Sequence, residues 1–402
     1  MGFRKSLISI HIRDLMAKLT SLFYRLLVSR VLLSITFNAF VIFFLWIIVT
    51  IYNSVFFAGM LATIYLVTSL SLSLPIGHMI DRMNSTLVGI IGTLIGVSSV
   101  IVLLFGYSLI FIYLSMALLT LGVTMKGDSF SATIKKHLDE KQFHEANSYV
   151  QGTVYASNLI GTALGGACIL YFKEYFPLIL ILIACASLIT SSISHEDASS
   201  SGERKGMREM SSAIYFYRKI LGFLIVGFAL NGLFESIDVY SSGLFYMVLK
   251  STALYYTIFV ASVSVGGILG SAISKMFPAS GKSGLRISIF VLGFSPILVT
   301  LGISRIAVID IAMAFALGVI LPIINIPLNA KLMSVVPKDI YGKVMAFLRV
   351  FISGSTPLMA AIFSFVSIYA PVNIMFLYIG LTMLPITLLS FIVIPKFMAM
   401  EA

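Results

Sequence analysis

Charge is what this sequence has least of. Only 11% of its 402 residues are Asp, Glu, Lys or Arg, against roughly 25% in an ordinary soluble chain. With 59% of residues hydrophobic and a mean hydropathy of +1.05, water cannot solvate the surface on all sides, and most of it must face lipid. Cysteine is nearly absent too. Cys168 and Cys185 lie in apolar stretches without CxxC or zinc-ligand spacing and read as small buried hydrophobes. Neither a metal nor a cofactor is expected. The sequence has no Walker A loop, HExxH or GxSxG, which leaves an ATP-driven pump or a membrane enzyme with little support; the chain does not read as an enzyme.

What it has is long apolar runs. A span needs about 20 mostly apolar residues to cross roughly 30 Å of hydrocarbon. That ruler gives spans near 26–51, 55–77, 85–105, 108–131, 148–172 and 175–194, then near 217–247, 252–275, 285–304, 306–329, 343–368 and 371–395. The first run, Leu26 to Ile51, far exceeds the roughly 7–15 residues of a signal-peptide core and reads as a retained span. Before it, residues 3–19 fit an interfacial helix with Leu7, Ile8, Leu15 and Leu19 towards lipid, or an unstructured tail.

Lys and Arg favour the cytoplasmic side of a membrane. With both termini in the cytoplasm, the outer connections hold only Lys173, Lys250 and Arg305 of the 27 basic residues. The net charge of +11 then reflects a basic inner face against anionic lipid and makes no case for a nucleic-acid partner. The Ser- and charge-rich stretch 195–214 separates two sets of six spans. The expected architecture is an all-α integral membrane protein of twelve transmembrane helices in two six-helix pseudo-repeats. It divides into a basic tail (1–25), a first half (26–194), a cytoplasmic linker (195–214) and a second half with a short tail (215–402). Parallel six-helix halves hold a solute site between them near the bilayer midplane in one recurring transporter design.

Between the second and third spans the chain reads Pro75-Ile-Gly77-His-Met-Ile-Asp81-Arg82-Met-Asn84. A GxxxDR turn at this place resembles the signature of the major facilitator superfamily, whose fold is the twelve-helix one just described. The glycine permits close packing at the helix end, and the resemblance implies that Asp81 and Arg82 help latch the halves on the cytoplasmic side. Gly270-Ser-Ala-Ile-Ser274-Lys275 is a degraded echo at the end of span eight, with Ser274 in place of the acid. In span five, Gly152, Gly161 and Gly165 resemble the spaced glycines of the exporter branches, with Gly166 where proline is expected; helix packing accounts for them equally well. The stretch from Phe130 through Ala146-Asn147-Ser148, and Val336-Pro337-Lys338-Asp339 with Gly342-Lys343, resemble the macrolide- and siderophore-exporter branch. That branch often carries an acid in its first helix; Phe37-Asn38 stands there instead, leaving Asn38 as the polar candidate.

Ionisable groups inside a membrane cost roughly 2.5–3.5 kcal/mol each at a helix centre and are functional candidates by default. Span seven holds the strongest: Asn231, Glu235 and Asp238, spaced for one helical face and extended by Ser242. The resemblance places spans one, four, seven and ten around the central cavity. Glu235 is the expected proton and cation site, with Asp238 its partner. Lys126 and Asp128 fit either a cavity face or, better, a solvated helix end; Asp310 suits a helix N-terminus; Arg30 and Arg349 can snorkel to the inner surface. His137 and His144 among Asp139, Glu140 and Glu145 read as a solvated loop helix.

The expected cavity walls are aromatic: Phe37, Phe40, Phe43, Phe44, Trp46, Phe234, Tyr240, Phe245, Tyr246 and Phe315. Carboxylates beside aromatic faces suit lipophilic or cationic solutes, and strong anions are disfavoured for want of a cationic clamp. The reading is a plasma-membrane secondary transporter, expected as a monomer, that exports amphipathic or cationic small organic molecules in exchange for protons. Two alternatives stay open: an importer or facilitator of a neutral or weakly polar solute, and a non-transporting sensor, scaffold or lipid-handling protein.

Overall fold

The computed structural model describes residues 2–137, 140–191, 220–274, 276, 283–336 and 341–400, and among them every regular element is helical. The expected linker at 195–214, Asp139, Lys275 and positions 337–339 lie outside the described residues, as do the side chains of Asp81, Arg349, His137, His144, Glu140 and Glu145.

In chain order the helices are α1 (Gly2–Tyr52), α2 (Val55–Arg82), α3 (Ser85–Val102), α4 (Leu109–His137), α5 (Glu140–Tyr171), α6 (Phe176–Ile189), α7 (Leu221–Phe234), α8 (Ser236–Gly243), α9 (Ala253–Ser274), α10 (Ser283–Leu292), α11 (Phe294–Ile303), α12 (Ala307–Val335), α13 (Tyr341–Val366) and α14 (Val372–Met398). A π-helical turn, Leu244–Val248, follows α8. Ten stretches among the described residues are long and apolar enough to cross a membrane, and Phe176–Ile189 and Val350–Val366 are shorter apolar helices. The backbone helix of α1 runs from Gly2 through the basic tail into its span.

Helix α3 is built inside out relative to a helix of a soluble bundle. On α3 the buried positions are Ser85, Thr86, Val88, Gly89, Gly92, Thr93, Gly96, Ser99 and Val100, while Leu87, Leu94 and Ile101 are exposed. Small residues let helices approach closely where lipid offers no hydrophobic drive. Many seryl and threonyl hydroxyls donate to their own helix backbone, as Thr93 does to the Gly89 carbonyl at 2.8 Å.

Two compact units form. The first comprises residues 1–40, 71–161 and 172–201; the second comprises 41–70, 162–171 and 202–402. α1, α2 and α5 therefore each contribute to both.

The GxxxDR segment is not the expected turn. It is the last part of α2, which continues helically past Pro75 to Arg82, and Asn84 then caps α3 by accepting from the N–H groups of Thr86 and Leu87. A buried Ile76–Ile80–Val88–Met125 cluster holds this end in helical form. Among the described residues, a Cβ added at Gly77 would meet nothing within 4 Å. Its echo differs: Gly270 lies directly against the Val319 backbone of α12, where no side chain would fit.

Candidate functional site

Helical hydrogen bonding in the seventh apolar stretch, Leu221–Val248, is interrupted at its middle. Glu235 stands between α7 and α8; its N–H donates to the Gly232 carbonyl at 3.2 Å, a tightened i to i−3 bond. The Ser236 hydroxyl donates to the Leu233 carbonyl at 2.7 Å and competes with the regular ladder at the same place.

The surroundings of Glu235 belong to the second unit. Its side chain is only 7% exposed. The Tyr65 hydroxyl of α2 donates to Glu235 Oε1 at 3.4 Å. Asp238, one turn on, is the one exposed residue between Ile225 and Lys250, and its charge acts on Glu235, Tyr65 and Tyr256. Tyr256 of α9 is fully buried beside Ser241, and its hydroxyl makes no hydrogen bond of normal geometry. Among the described residues, no basic side chain acts on either acid.

The Asn231–Glu235–Asp238 stripe is thus divided. Asn231 turns to α13, donating to the Ile352 carbonyl at 3.0 Å and to Ser355 Oγ at 3.4 Å. Glu235 turns to α2, and Asp238 is exposed. Ser242 is fully buried without a hydrogen-bond partner for Oγ. Asn38 belongs to the first unit, where it donates to the Ser34 carbonyl of its own helix at 2.7 Å and packs against Gly161.

Of the aromatics expected at the cavity walls, six are buried against other helices. Phe40, Phe43, Phe44, Tyr240 and Phe245 are completely buried. Tyr240 is held there by donating to the Phe363 carbonyl at 2.7 Å. Trp46 stacks on Tyr256 (5.4 Å, 23°) and meets Tyr246 edge-on at 5.8 Å. Gly59 of α2 lies against Ser364 and Val239, and Gly166 of α5 against Thr257 of α9. Gly165 is buried, and Gly152 lies on the same helix. Arg82 is exposed at the C-terminal end of α2, where a helix favours a cation.

Lys126 is not a solvated helix end. It is 3% exposed in the first unit, and its Nζ donates to Ser191 Oγ at 2.9 Å. Ser191, Ser187 and Ser29 form a hydroxyl cluster, with Ser29 and Ser191 at 2.9 Å. Arg30 lies over the Phe130 ring, 5.1 Å from its centroid. Asp310, in the first turn of α12, is completely buried.

Sequence reasoning missed Tyr65, Tyr256 and Ser191. The available signal was a polar hydroxyl inside an apolar span, which must find a partner.

Solved transporters of several kinds share this architecture. A nucleoside transporter, NupG, superposes with a TM-score of 0.75 at 10% identity, over 92% of this chain and 98% of that one. A POT family transporter in complex with a thioalcohol-conjugated peptide gives 0.72 at 14% identity, over 93% and 96%. A bacterial homologue of the human lysosomal transporter Spinster, inward-facing and unoccupied, gives 0.64 at 13% identity, over 93% and 96%. At these identities the likeness is one of fold. No curated protein matches the sequence significantly. The sequence model of the Major Facilitator Superfamily matches residues 26–361, most of the chain, and the protein is therefore a member of that superfamily: a multi-span helical membrane protein of transporter type.

Proposed function

We propose that the chain is a twelve-span secondary transporter of the plasma membrane, monomeric and with both termini in the cytoplasm. It exports amphipathic or cationic small organic molecules in exchange for protons, by alternating access between the halves 26–194 and 215–402 joined by the linker 195–214. The observation that carries this reading is the position of Glu235: an acid at a tightened turn of a spanning helix, beside Tyr65 and Asp238, on which no basic side chain among the described residues acts. Such an acid can be neutralised by a proton or by a cationic solute, but not comfortably by both at once.

That competition couples the two fluxes. A cationic solute enters from the cytoplasm and is drawn by Glu235 and the exposed Asp238. A proton arriving from outside takes its place, and release of that proton inside returns the carboxylate. Asn231 fixes α7 to α13, and Asn38 lends a polar amide to span one without an acid. The close contacts at Gly59 and Gly166 support closure at the Tyr52 end in this state, the outer end in the proposed topology. Gly77, Asp81 and Arg82 serve as the cytoplasmic latch in the same scheme, with Gly152, Gly161 and Gly165 as packing positions on α5.

Cells expressing the protein should accumulate less of a fluorescent lipophilic cation than cells without it. The difference should vanish with a protonophore and with Glu235→Gln. An unchanged accumulation with verified membrane expression contradicts the export reading.

A further inference from the structure

Span seven is pinned to α13 on both sides of Glu235. Asn231 donates to the Ile352 carbonyl at 3.0 Å, and Tyr240 donates to the Phe363 carbonyl at 2.7 Å. Glu235 stands between these two anchors and is fixed on α13 by them. What touches the acid from the other side is α2.

α2 meets span seven at two places. Near its start, Gly59 lies so close to its neighbours that a Cβ there would meet Ser364 Oγ and Val239 Cγ1. Less than two turns further along α2, the Tyr65 hydroxyl donates to Glu235 Oε1 at 3.4 Å. Glu235 and Val239 are one turn apart on span seven and lie on the same face. The same stretch of α2 therefore makes both contacts, and both belong to the second unit. From Ser71 onwards α2 belongs to the first unit, so this one helix connects the acid with the other unit.

Seating Gly59 against Val239 and Ser364 closes the Tyr52 end, and it brings the Tyr65 hydroxyl to the acid in the same movement. At 3.4 Å the bond is already long for its kind, so a small withdrawal of α2 breaks it. A hydrogen bond to a carboxylate is roughly twice as strong as one to a neutral acceptor. The tie is thus worth most when the end is closed and Glu235 is ionised. Among the described residues, Asp238 is the other titratable group acting on Glu235. It lies on span seven itself and stays with the acid when α2 moves.

We infer that Tyr65 is a positioning residue whose hydroxyl links release of the proton from Glu235 to closure of the Tyr52 end. Protonation of Glu235 weakens the tie and frees α2 to withdraw; ionisation draws Tyr65 in and seats Gly59. Tyr65 keeps its own proton throughout, and the proton of Glu235 passes to water. In the export cycle, release then coincides with the state closed outside. The inference rests on the reading of Glu235 as the coupling acid and adds the device that joins it to a helix movement.

The test reads the distance between spin labels at positions 52 and 369, both exposed, in the full-length protein without Cys168 and Cys185. It is run in detergent across a pH titration, with no solute. The ratio of long to short distances should rise about tenfold from the alkaline to the acid limb. Glu235→Gln should not respond to pH. Tyr65→Phe keeps the ring, and its response should shrink to within about twofold. Glu235→Asp retains an acid but draws it back from the hydroxyl by one carbon–carbon bond. It should lose the response likewise, and it decides the matter should Tyr65→Phe not fold. A hydroxyl with a merely structural role would shift the ratio by one factor at every pH and leave the response intact. An unresponsive parent protein, a response that survives Glu235→Gln, or the full response in Tyr65→Phe overturns the inference. Transport does not enter the readout. Proton-coupled export without the response sinks the tie alone, and the response without export sinks the export reading alone.

Discussion

Lys126 carries an ammonium into the interior of the first unit, where Ser191 Oγ at 2.9 Å receives one of its protons. Ser191 lies just past the end of α6 at Ile189, so the last carbonyls of that helix, the negative end of its dipole, also favour the cation. The two partners should respond unequally to removal. Ser191→Ala leaves a buried charge with poorer solvation and should cost about 1–3 kcal/mol. Lys126→Met removes the charge itself, keeps the apolar stem and should be close to neutral. Thermal unfolding of both variants in one detergent checks this; equal losses would mean that the stem, not the charge, is what Ser191 holds. Glu235 was legible in the sequence because a carboxylate inside an apolar run is rare. Tyr65 was not, because nothing marks it among eighteen tyrosines until α2 is placed against span seven. Lys126 was misjudged for a related reason: its position near a helix end says nothing about Ser191, 65 residues away in the chain.

Among the elements, α2 shows how one helix serves two units. Its first part packs in the second unit, where Gly59 admits the side chains of Ser364 and Val239; its last part joins the first unit through Ile76 and Ile80. Gly59→Val adds a branched side chain at a contact already filled on both sides. It should push α2 from α13 and disfavour closure at the Tyr52 end. Spin labels at positions 52 and 369, both exposed beside that end in a background without Cys168 and Cys185, should move apart by several ångströms in the variant. An unchanged distance together with full transport would show that the contact yields without opening. The existence of the apolar helices was readable from hydropathy alone, since each needs only a run of the right length. The break at Glu235 was not. No proline or glycine occupies it; it arises where Ser236 and the Glu235 N–H bond carbonyls three residues back, a choice made by local hydroxyl chemistry.

For the whole molecule, the distribution of basic residues makes a topological prediction. Single cysteines replacing Lys250 and Arg305, in a background without Cys168 and Cys185, should react with a membrane-impermeant thiol reagent on intact cells. A cysteine at Arg82 should react only after the cells are opened. Labelling of Arg82→Cys from outside would invert the proposed orientation and with it the direction assigned to each flux. The helical membrane fold was legible at this scale because long apolar runs and a GxxxDR motif point to one family, whose sequence model matches residues 26–361. The solute was not, because solved transporters that share this fold at 10–14% identity include a nucleoside transporter and a POT family transporter in complex with a conjugated peptide.

The central claim is that Glu235 exchanges a proton for a cationic solute. It is tested most directly in proteoliposomes holding a pH-sensitive dye, by imposing a gradient of a lipophilic cation such as tetraphenylphosphonium. The wild-type protein should drive protons against the cation's direction of movement, at a rate that rises with cation concentration and saturates. Glu235→Gln, reconstituted to the same density, should abolish the proton flux. Proton movement that persists undiminished in Glu235→Gln would contradict the account, as would cation transport by the wild type with no proton movement at all.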